Sequence, residues 1–345
     1  MKKYLTILMV FTFVLILAAC GAEESSESST DNESSASEVE SESTEAGEVE
    51  IPADLSFASA TVGGFWNTLS GSMSDDLSTV FPGTSSTIVE GGSISNLIGL
   101  DNGLYSLGFA NAPNVTEAFE GKGDFPQPVE NVSLLATLYP NSLHIVVRED
   151  SGIESVEDLA GKTVSPGIKG YSAEITFQEV LAEYGMNYED LGGIEYTGTS
   201  DAGDLLRDGH IDAIVSLLAA PVSTVQELDT TLGIKLIPLD QEVVDSLHEK
   251  NSGYLDYTIS NDTYSNIDED VLTVAGYTVM MASNDQINED AAYEITKMMF
   301  ENKEKYASLS SVMDEFDEEF SVNNASSEFH PGAKKYYEEQ GLEVE

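Results

Sequence analysis

The sequence predicts an α/β protein whose two lobes are joined by two crossing strands. Residues 134–138 and 143–147 are apolar runs typical of strands buried on both faces, and residues 139–142 join them. Residues 271–282 have the same character far downstream. Strand–helix units lie before and after both stretches, so one stretch would lead out of the first lobe and the other would return. A ligand cleft between the lobes follows from this arrangement.

The same reasoning sets the domain boundaries. Residues 51–138 and 272–345 are expected to form the first lobe, and residues 139–271 the second. The alternative is that both apolar stretches are ordinary core strands of a single domain.

Glycines stand between strand and helix at three places. Strands predicted at residues 54–60 and 86–90 are followed by the junctions 61–66 and 91–96, each of which opens a helix. A third junction, residues 167–172, precedes a helix through Tyr184. Glycine lets backbone N–H groups approach a ligand, and the helix N-terminus behind them favours an anion.

The remaining elements continue the alternation. Further strands are predicted at residues 104–110, 162–165, 194–197, 211–216 and 234–239. Further helices are predicted at residues 151–161, 201–208, from Pro221 onward, 241–250, 289–306 and 331–341, with a loop from 111 to the first crossing. The pattern predicts mostly parallel sheets, whose ligands bind beyond the carboxyl ends of the strands.

The first fifty residues indicate export and a membrane anchor. Lys2 and Lys3 precede an apolar run, residues 5–17, which has the length of a signal-peptide core. The run ends in a segment, residues 17–20, that resembles a bacterial lipobox, so we expect a lipid on Cys20, the only cysteine. Residues 21–50 have no Lys, Arg or aromatic residue, which predicts a disordered acidic tether.

The charge of the chain excludes some partners. It has 62 acidic and 14 basic residues, of which 51 acids and 12 bases follow residue 50. The negative electrostatic potential of such a surface repels nucleic acid and anionic lipid headgroups. We interpret it as adaptation to high external salt; the alternative is an ordinary acidic secreted protein.

Several runs in order resemble the TAXI-type solute-binding receptors of TRAP transporters. They cover about residues 51–342 and include 61–66, 91–97, 138–140, 144–153, 158–162, 208–213 and 330–333. The resemblance implies a two-lobed, periplasmic-binding-protein-like (type II) fold. It also implies that the lobes close over a small carboxylate, glutamate or a related dicarboxylate, which is delivered to a TRAP-type membrane permease.

The resemblance also implies a set of substrate-binding positions. They are Thr61, Gly63, Gly64, Phe65, Trp66, Gly92, Ser93, Asn96, Tyr139, Gly170, Tyr171, Ser172 and Glu174. The chain departs from the family pattern at Ala110–Ala112, which places Asn111 in the expected cleft, and at residues 171–173.

The residue types favour binding over catalysis. Arg148 is expected to form a structural ion pair and Arg207 to lie on a solvated helix face, so backbone N–H groups and the hydroxyls of Ser93 and Ser172 would hold a ligand carboxylate. Neither serine lies in a complete GxSxG motif, and the four histidines lack metal-ligand spacing. We expect a monomer without catalytic residues, metal or cofactor. An ABC-importer binding protein and a lipid-anchored sensor are the alternatives.

Overall fold

The computed structural model describes residues 51–62 and 64–344. The predictions for the signal peptide, the tether, Cys20 and Gly63 lie outside the described residues. The strands are β1 (Asp54–Ala58), β2 (Ser85–Val89), β3 (Leu107–Asn111), β4 (Val132–Arg148), β5 (Thr163–Ser165), β6 (Gly193–Ile194), β7 (Ala213–Leu218), β8 (Ile234–Leu236), β9 (Tyr254–Ile259) and β10 (Val271–Ser283).

The described helices begin mostly at the ends of these strands. They are α1 (Phe65–Val80), α2 (Ser93–Asp101), α3 (Ala112–Glu120), α4 (Ser172–Glu183), α5 (Thr199–Arg207), α6 (Ser223–Thr231), α7 (Gln241–Lys250), α8 (Glu289–Glu301), α9 (Lys303–Leu309), α10 (Glu318–Asn323) and α11 (Pro331–Glu339). None of the helices in the described ranges is both long and apolar enough to cross a membrane.

The strands form one sheet in the order β2-β1-β3-β10-β4-β7-β5-β6, with β8 beside β4 and β9 beside β10. The expectation of mostly parallel sheets holds only for the outer strands. There β2, β1 and β3 are parallel, as are β7, β5 and β6. The crossing strands β4 and β10 are antiparallel to each other and to their neighbours, because one runs out and the other returns.

Residues 139–142 were expected to join two strands, but they continue one. Strand β4 runs through 17 residues and pairs with β10 from Ser142 back to Val132. Pro140 has no N–H to give to the ladder, and it lies next to a register shift opposite Thr278. Proline is tolerated in a sheet at such irregular places.

Three local expectations were wrong. Residues 111–130 contain helix α3 in place of a loop throughout, and residues 289–306 form two helices that separate at Asn302. Residues 151–161 form no α-helix. There the Asp158 carboxylate accepts hydrogen bonds from the N–H groups of Glu154 and Ser155 at 2.9 and 3.1 Å, a local pattern that competes with helix formation.

The buried side chains fall into three clusters. One draws on residues 55–139 and 279–337, and the other two draw only on residues 143–274. The crossing strands β4 and β10 contribute to clusters on both sides of the middle of the sheet. We therefore propose that residues 51–138 with 272–345 form the first lobe and that residues 139–271 form the second.

Candidate functional site

A cavity of about 860 Å³ lies where strands from both halves of the sheet end. The segments after β1, β2 and β3 line it from one half, and those after β5 and β7 line it from the other. Loops beyond the carboxyl ends of parallel strands are where α/β proteins bind ligands. All three glycine-bearing junctions contribute to this wall.

Six helices begin at this cavity. The N-cap residues of α1 to α6 all line it, and none of the six caps its helix with a side chain. They are Gly64, Gly92, Asn111, Tyr171, Gly198 and Val222. The first N–H groups of a helix have no partner within it, and the helix dipole adds positive potential there. The cavity is therefore suited to an anion.

Ser93 and Ser172 connect the two halves across the cavity. Their hydroxyl oxygens are 2.8 Å apart. The Asn111 N–H donates to Ser93 Oγ at 3.0 Å, and Ser172 Oγ donates to Asn114 Oδ1 at 2.6 Å. Because the Ser172 proton is already used, Ser93 donates to Ser172. Both hydroxyl protons are thus used in one series of hydrogen bonds that links four residues.

Aromatic rings form the floor beside β4. The rings of Phe65 and Tyr139 have centroids 5.5 Å apart, and Trp66 lies 5.7 Å from Phe109. Trp66 Nε1 donates to Thr278 Oγ1 at 3.1 Å, so its polar edge is occupied. Burial raises the pKa of Tyr139 well above its ordinary value. These rings therefore provide mostly apolar surface to a ligand.

Two buried polar residues that were not predicted from the sequence also line the cavity. Asn141 Nδ2 donates to Asn111 Oδ1 at 2.8 Å and to Thr278 Oγ1 at 2.6 Å. The Ser216 hydroxyl is buried and has no hydrogen-bond partner within the described residues. An Asn within the apolar crossing was a usable signal for the first of them. A serine near the end of β7 was not.

A buried histidine fixes the start of α6. His144 Nδ1 donates to the Ser142 carbonyl at 3.0 Å, and its Nε2 accepts from the Tyr264 hydroxyl at 2.8 Å. Tyr264 in turn accepts from the Val222 N–H at 3.0 Å. Burial lowers the pKa of His144 to about 4, so the ring is neutral. This series of hydrogen bonds, from His144 through Tyr264, holds Val222 at the cavity wall.

Charged side chains are nearly absent from the cavity. Asp201 is the one Asp, Glu, Lys or Arg among the described lining residues. Arg148 pairs with Asp150 at 3.3 Å, as expected, and Arg207 pairs with Asp204 and Glu227 on the surface of the protein. Within residues 51–62 and 64–344 no group of three or more His, Cys, Asp or Glu side chains could hold a metal ion.

Most of the expected binding positions meet at this cavity. Those that line it are Thr61, Gly64, Phe65, Trp66, Gly92, Ser93, Asn111, Tyr139, Tyr171 and Ser172.

Three other expected positions, Asn96, Gly170 and Glu174, do not line the cavity. Asn96 Nδ2 donates to the carbonyls of Ser59 and Phe109, both at 2.9 Å, which ties α2 to two strands. Glu174 accepts from the Gly170 N–H at 3.2 Å and shapes the loop before α4.

The fold is the mixed α/β, type II periplasmic-binding-protein fold. PhnD1 from Prochlorococcus marinus (MIT 9301), in complex with methylphosphonate, has a similar structure with a TM-score of 0.51 at 11% identity. The match covers 76% of this chain and 90% of that one. The alkanesulfonate-binding protein SsuA from Xanthomonas axonopodis pv. citri, bound to MOPS, gives a TM-score of 0.46 at 16% identity, over 77% and 83% of the two chains.

An ancestral arginine-binding protein bound to arginine gives a TM-score of 0.46 at 18% identity, over 76% and 99% of the two chains. Both SsuA and this ancestral protein are named as binding proteins. A family model matches residues 57–341, and the chain belongs to the NMT1-like family.

Proposed function

We propose that this chain is an extracytoplasmic solute-binding protein that captures a small carboxylate between its lobes and delivers it to a TRAP-type permease. The observation that carries the proposal is the convergence of six uncapped helix N-termini on one cavity. The resemblance to TAXI-type receptors suggests glutamate or a related dicarboxylate. The anion in the PhnD1 complex, methylphosphonate, is consistent with an anion site in this fold.

The proposed carboxylate is held by backbone N–H groups at the starts of the helices. No Lys or Arg lines the cavity within the described residues, and the Ser93 and Ser172 hydroxyl protons are engaged with each other and with Asn114. A neutral N–H donating to a charged acceptor contributes about 1.5–3 kcal/mol. Several such bonds would compensate for the missing guanidinium.

The test is a thermal-shift panel on residues 21–345 in molar salt. It includes glutamate, glutamine, 2-oxoglutarate, four-carbon dicarboxylates, monocarboxylates, other amino acids and sugars. A ligand at 100 times its dissociation constant adds about 2.7 kcal/mol of stability, which raises the melting temperature by several degrees. We expect a rise with acids only. A response confined to sugars or to cationic ligands would contradict the proposed carboxylate site.

The membrane partner requires a separate experiment. We propose a lipid on Cys20 and a TRAP permease that is driven by an ion gradient. An ABC importer with the same kind of binding protein would use ATP. Uptake in vesicles that contain the partner permease is expected to need an imposed ion gradient and no ATP. Uptake that requires ATP would favour the ABC alternative, and ligand binding without any uptake would favour a sensor.

A further inference from the structure

Apolar side chains are concentrated at the cavity. Six large hydrophobic side chains remain exposed in the described residues, and three of them, Val62, Leu218 and Leu309, line this one cavity. Their exposed fractions are 83%, 41% and 40%. Single exposed hydrophobic residues are normal, but a group around a cleft marks a binding surface. These three come from separate segments, after β1, in β7 and in α9.

The apolar surface continues into the interior of the cavity. The rings of Phe65 and Trp66 line it, and Val312 and Ala219 line it while packing against the first hydrophobic cluster. The cavity volume of about 860 Å³ lies in the upper part of the ~300–1,000 Å³ range of pockets that enclose drug-sized ligands. A four- or five-carbon diacid would leave much of this apolar wall against water.

The charges in the cavity favour a ligand with one anionic group. The helix N-termini supply partial positive charge for a carboxylate. A second carboxylate would find neither Lys nor Arg among the described lining residues, and would share the cavity with Asp201. Like charges in a partly dry site repel each other strongly.

We infer that the ligand is a monocarboxylate with an apolar body, such as a medium-length aliphatic acid, and not a short dicarboxylate. This inference rests on the proposed function and narrows its substrate class. The carboxylate lies against the helix N-termini. The apolar body covers Leu218 and Leu309 and removes their exposed surface from water.

The experiment measures dissociation constants of residues 21–345 by titration calorimetry in molar salt. The ligands are the straight-chain monocarboxylates from four to eight carbons, octanol as an uncharged analogue, glutamate and succinate. Affinity is expected to rise about fourfold for each added methylene, which corresponds to about 0.8 kcal/mol. Octanol is expected to bind far more weakly than octanoate, because it lacks the carboxylate.

Three variants identify the surface that is used. Leu218→Ser and Leu309→Ser are each expected to weaken octanoate binding by about tenfold and to flatten the dependence on chain length. Leu104→Ser is the matched control, because Leu104 is 67% exposed and does not line the cavity. It should leave the octanoate affinity unchanged.

Each contrary outcome has a separate meaning. Tight binding of glutamate or succinate, with no rise along the monocarboxylate series, overturns this inference and leaves the proposed function standing. A chain-length dependence that persists in Leu218→Ser and Leu309→Ser also overturns it, because the acids would then bind elsewhere. If no acid binds, the proposed function fails as well.

Discussion

At the residue scale, the hydroxyls of Ser93 and Ser172 join α2 to α4 across the cavity. In Ser172→Ala the Ser93 proton and Asn114 Oδ1 lose their partner, and in Ser93→Ala the Asn111 N–H loses its own. A buried polar group without a partner costs about 1–3 kcal/mol. Because the bond between the two serines holds α2 and α4 together at the cavity, we expect each variant to weaken ligand binding by roughly tenfold, measured by titration calorimetry.

A double-mutant cycle distinguishes this hydrogen-bond chain from two independent contacts. Because one chain runs through both hydroxyls, the double alanine variant should lose little more affinity than either single variant. Ser78→Ala is the control, since that serine is exposed on α1 and bonds only to the Asp75 carbonyl among the described contacts. If the two single effects on affinity added in full, the two hydroxyls would act independently and the proposed hydrogen-bond chain would be wrong.

Residue roles were only partly predictable from the sequence. The glycine-bearing junctions identified Gly92, Ser93 and Ser172 as neighbours of a cleft, because each follows a strand end. Nothing in the sequence indicated that the two serines bond to each other, since that contact depends on how α2 and α4 meet. Asn96 has the same junction signature as Ser93, but its side chain turns toward β1 and β3.

At the element scale, α6 depends on a contact far away in the chain. The Tyr264 hydroxyl links neutral His144 to the Val222 N–H at the start of this helix. Tyr264→Phe leaves the His144 Nε2 and the Val222 N–H unpaired. We expect the free energy of unfolding to fall by about 1–3 kcal/mol, measured by urea unfolding.

If Tyr264→Phe also shifts the start of α6, ligand binding should weaken too, because the N-terminus of α6 lines the cavity. Tyr257→Phe is the control, since no hydrogen bond of that hydroxyl is found in the described residues. Equal stability of Tyr264→Phe and the native chain would contradict a structural role for the Tyr264 hydroxyl.

Helices α3 and α4 bring two carboxyl groups together. Burial is the main cause that raises the pKa of both Glu117 and Glu179, the latter from 4.5 to about 7, and the charge of Glu117 raises that of Glu179 further. The charges of Glu120, Asp124 and Glu183 add to this shift, and the Tyr254 hydroxyl, which donates to Glu179, opposes it.

This pair makes stability depend on pH. A raised pKa in the folded state means that folding retains a proton which the unfolded chain loses above about pH 4.5. The free energy of unfolding should therefore fall as the pH rises from about 4.5 to about 7. Glu179→Gln stays neutral, so its stability should be flatter across this window and higher above it, by about 1–2 kcal/mol.

Urea unfolding at the two ends of the pH window checks this expectation. Glu249→Gln is the matched control, because Glu249 is exposed on α7 and lies outside the buried carboxyl pair. Identical pH profiles of Glu179→Gln and the native chain would contradict the proposed coupling between α3 and α4.

Elements were predictable where one periodic signal dominated. The helix at residues 241–250 was predicted with its observed bounds, since its apolar stripe is regular. Residues 151–161 have a similar stripe, but Asp158 binds the backbone N–H groups that a helix would need. Helix α3 was missed, although Pro113 stands in its first turn, where proline is well tolerated.

At the scale of the whole molecule, the two crossing strands made the fold predictable. Each is a long apolar run, and the alternating units on either side required an outward and a returning connection. The pairing of the two crossing strands with each other at the centre of the sheet was not anticipated, because which strands become neighbours depends on topology and leaves no trace in local residue patterns. Helix α10, which has only six residues, and the edge strand β9 were also missed.

The acidic surface should make the whole molecule more stable in high salt. The chain after residue 50 has 51 acids against 12 bases. The described residues contain nine ion pairs, and in each of them at least one partner is more than a third exposed. Exposed pairs contribute only about 0–1 kcal/mol each, so screening them in salt costs little stability. Salt also screens the repulsion among the excess acids, and we expect this gain in stability to be larger.

Thermal unfolding of residues 21–345 tests this expectation between low and molar salt. As the Debye length falls from about 10 Å at 0.1 M to about 3 Å at 1 M, we expect the melting temperature to rise by roughly 5 °C. A variant in which the exposed Glu249, Glu269 and Glu338 are replaced by Gln should melt higher at low salt and gain less from added salt, because it begins with less repulsion. If the native chain gained nothing in molar salt, the acidic surface would be an ordinary feature of a secreted protein and no salt adaptation.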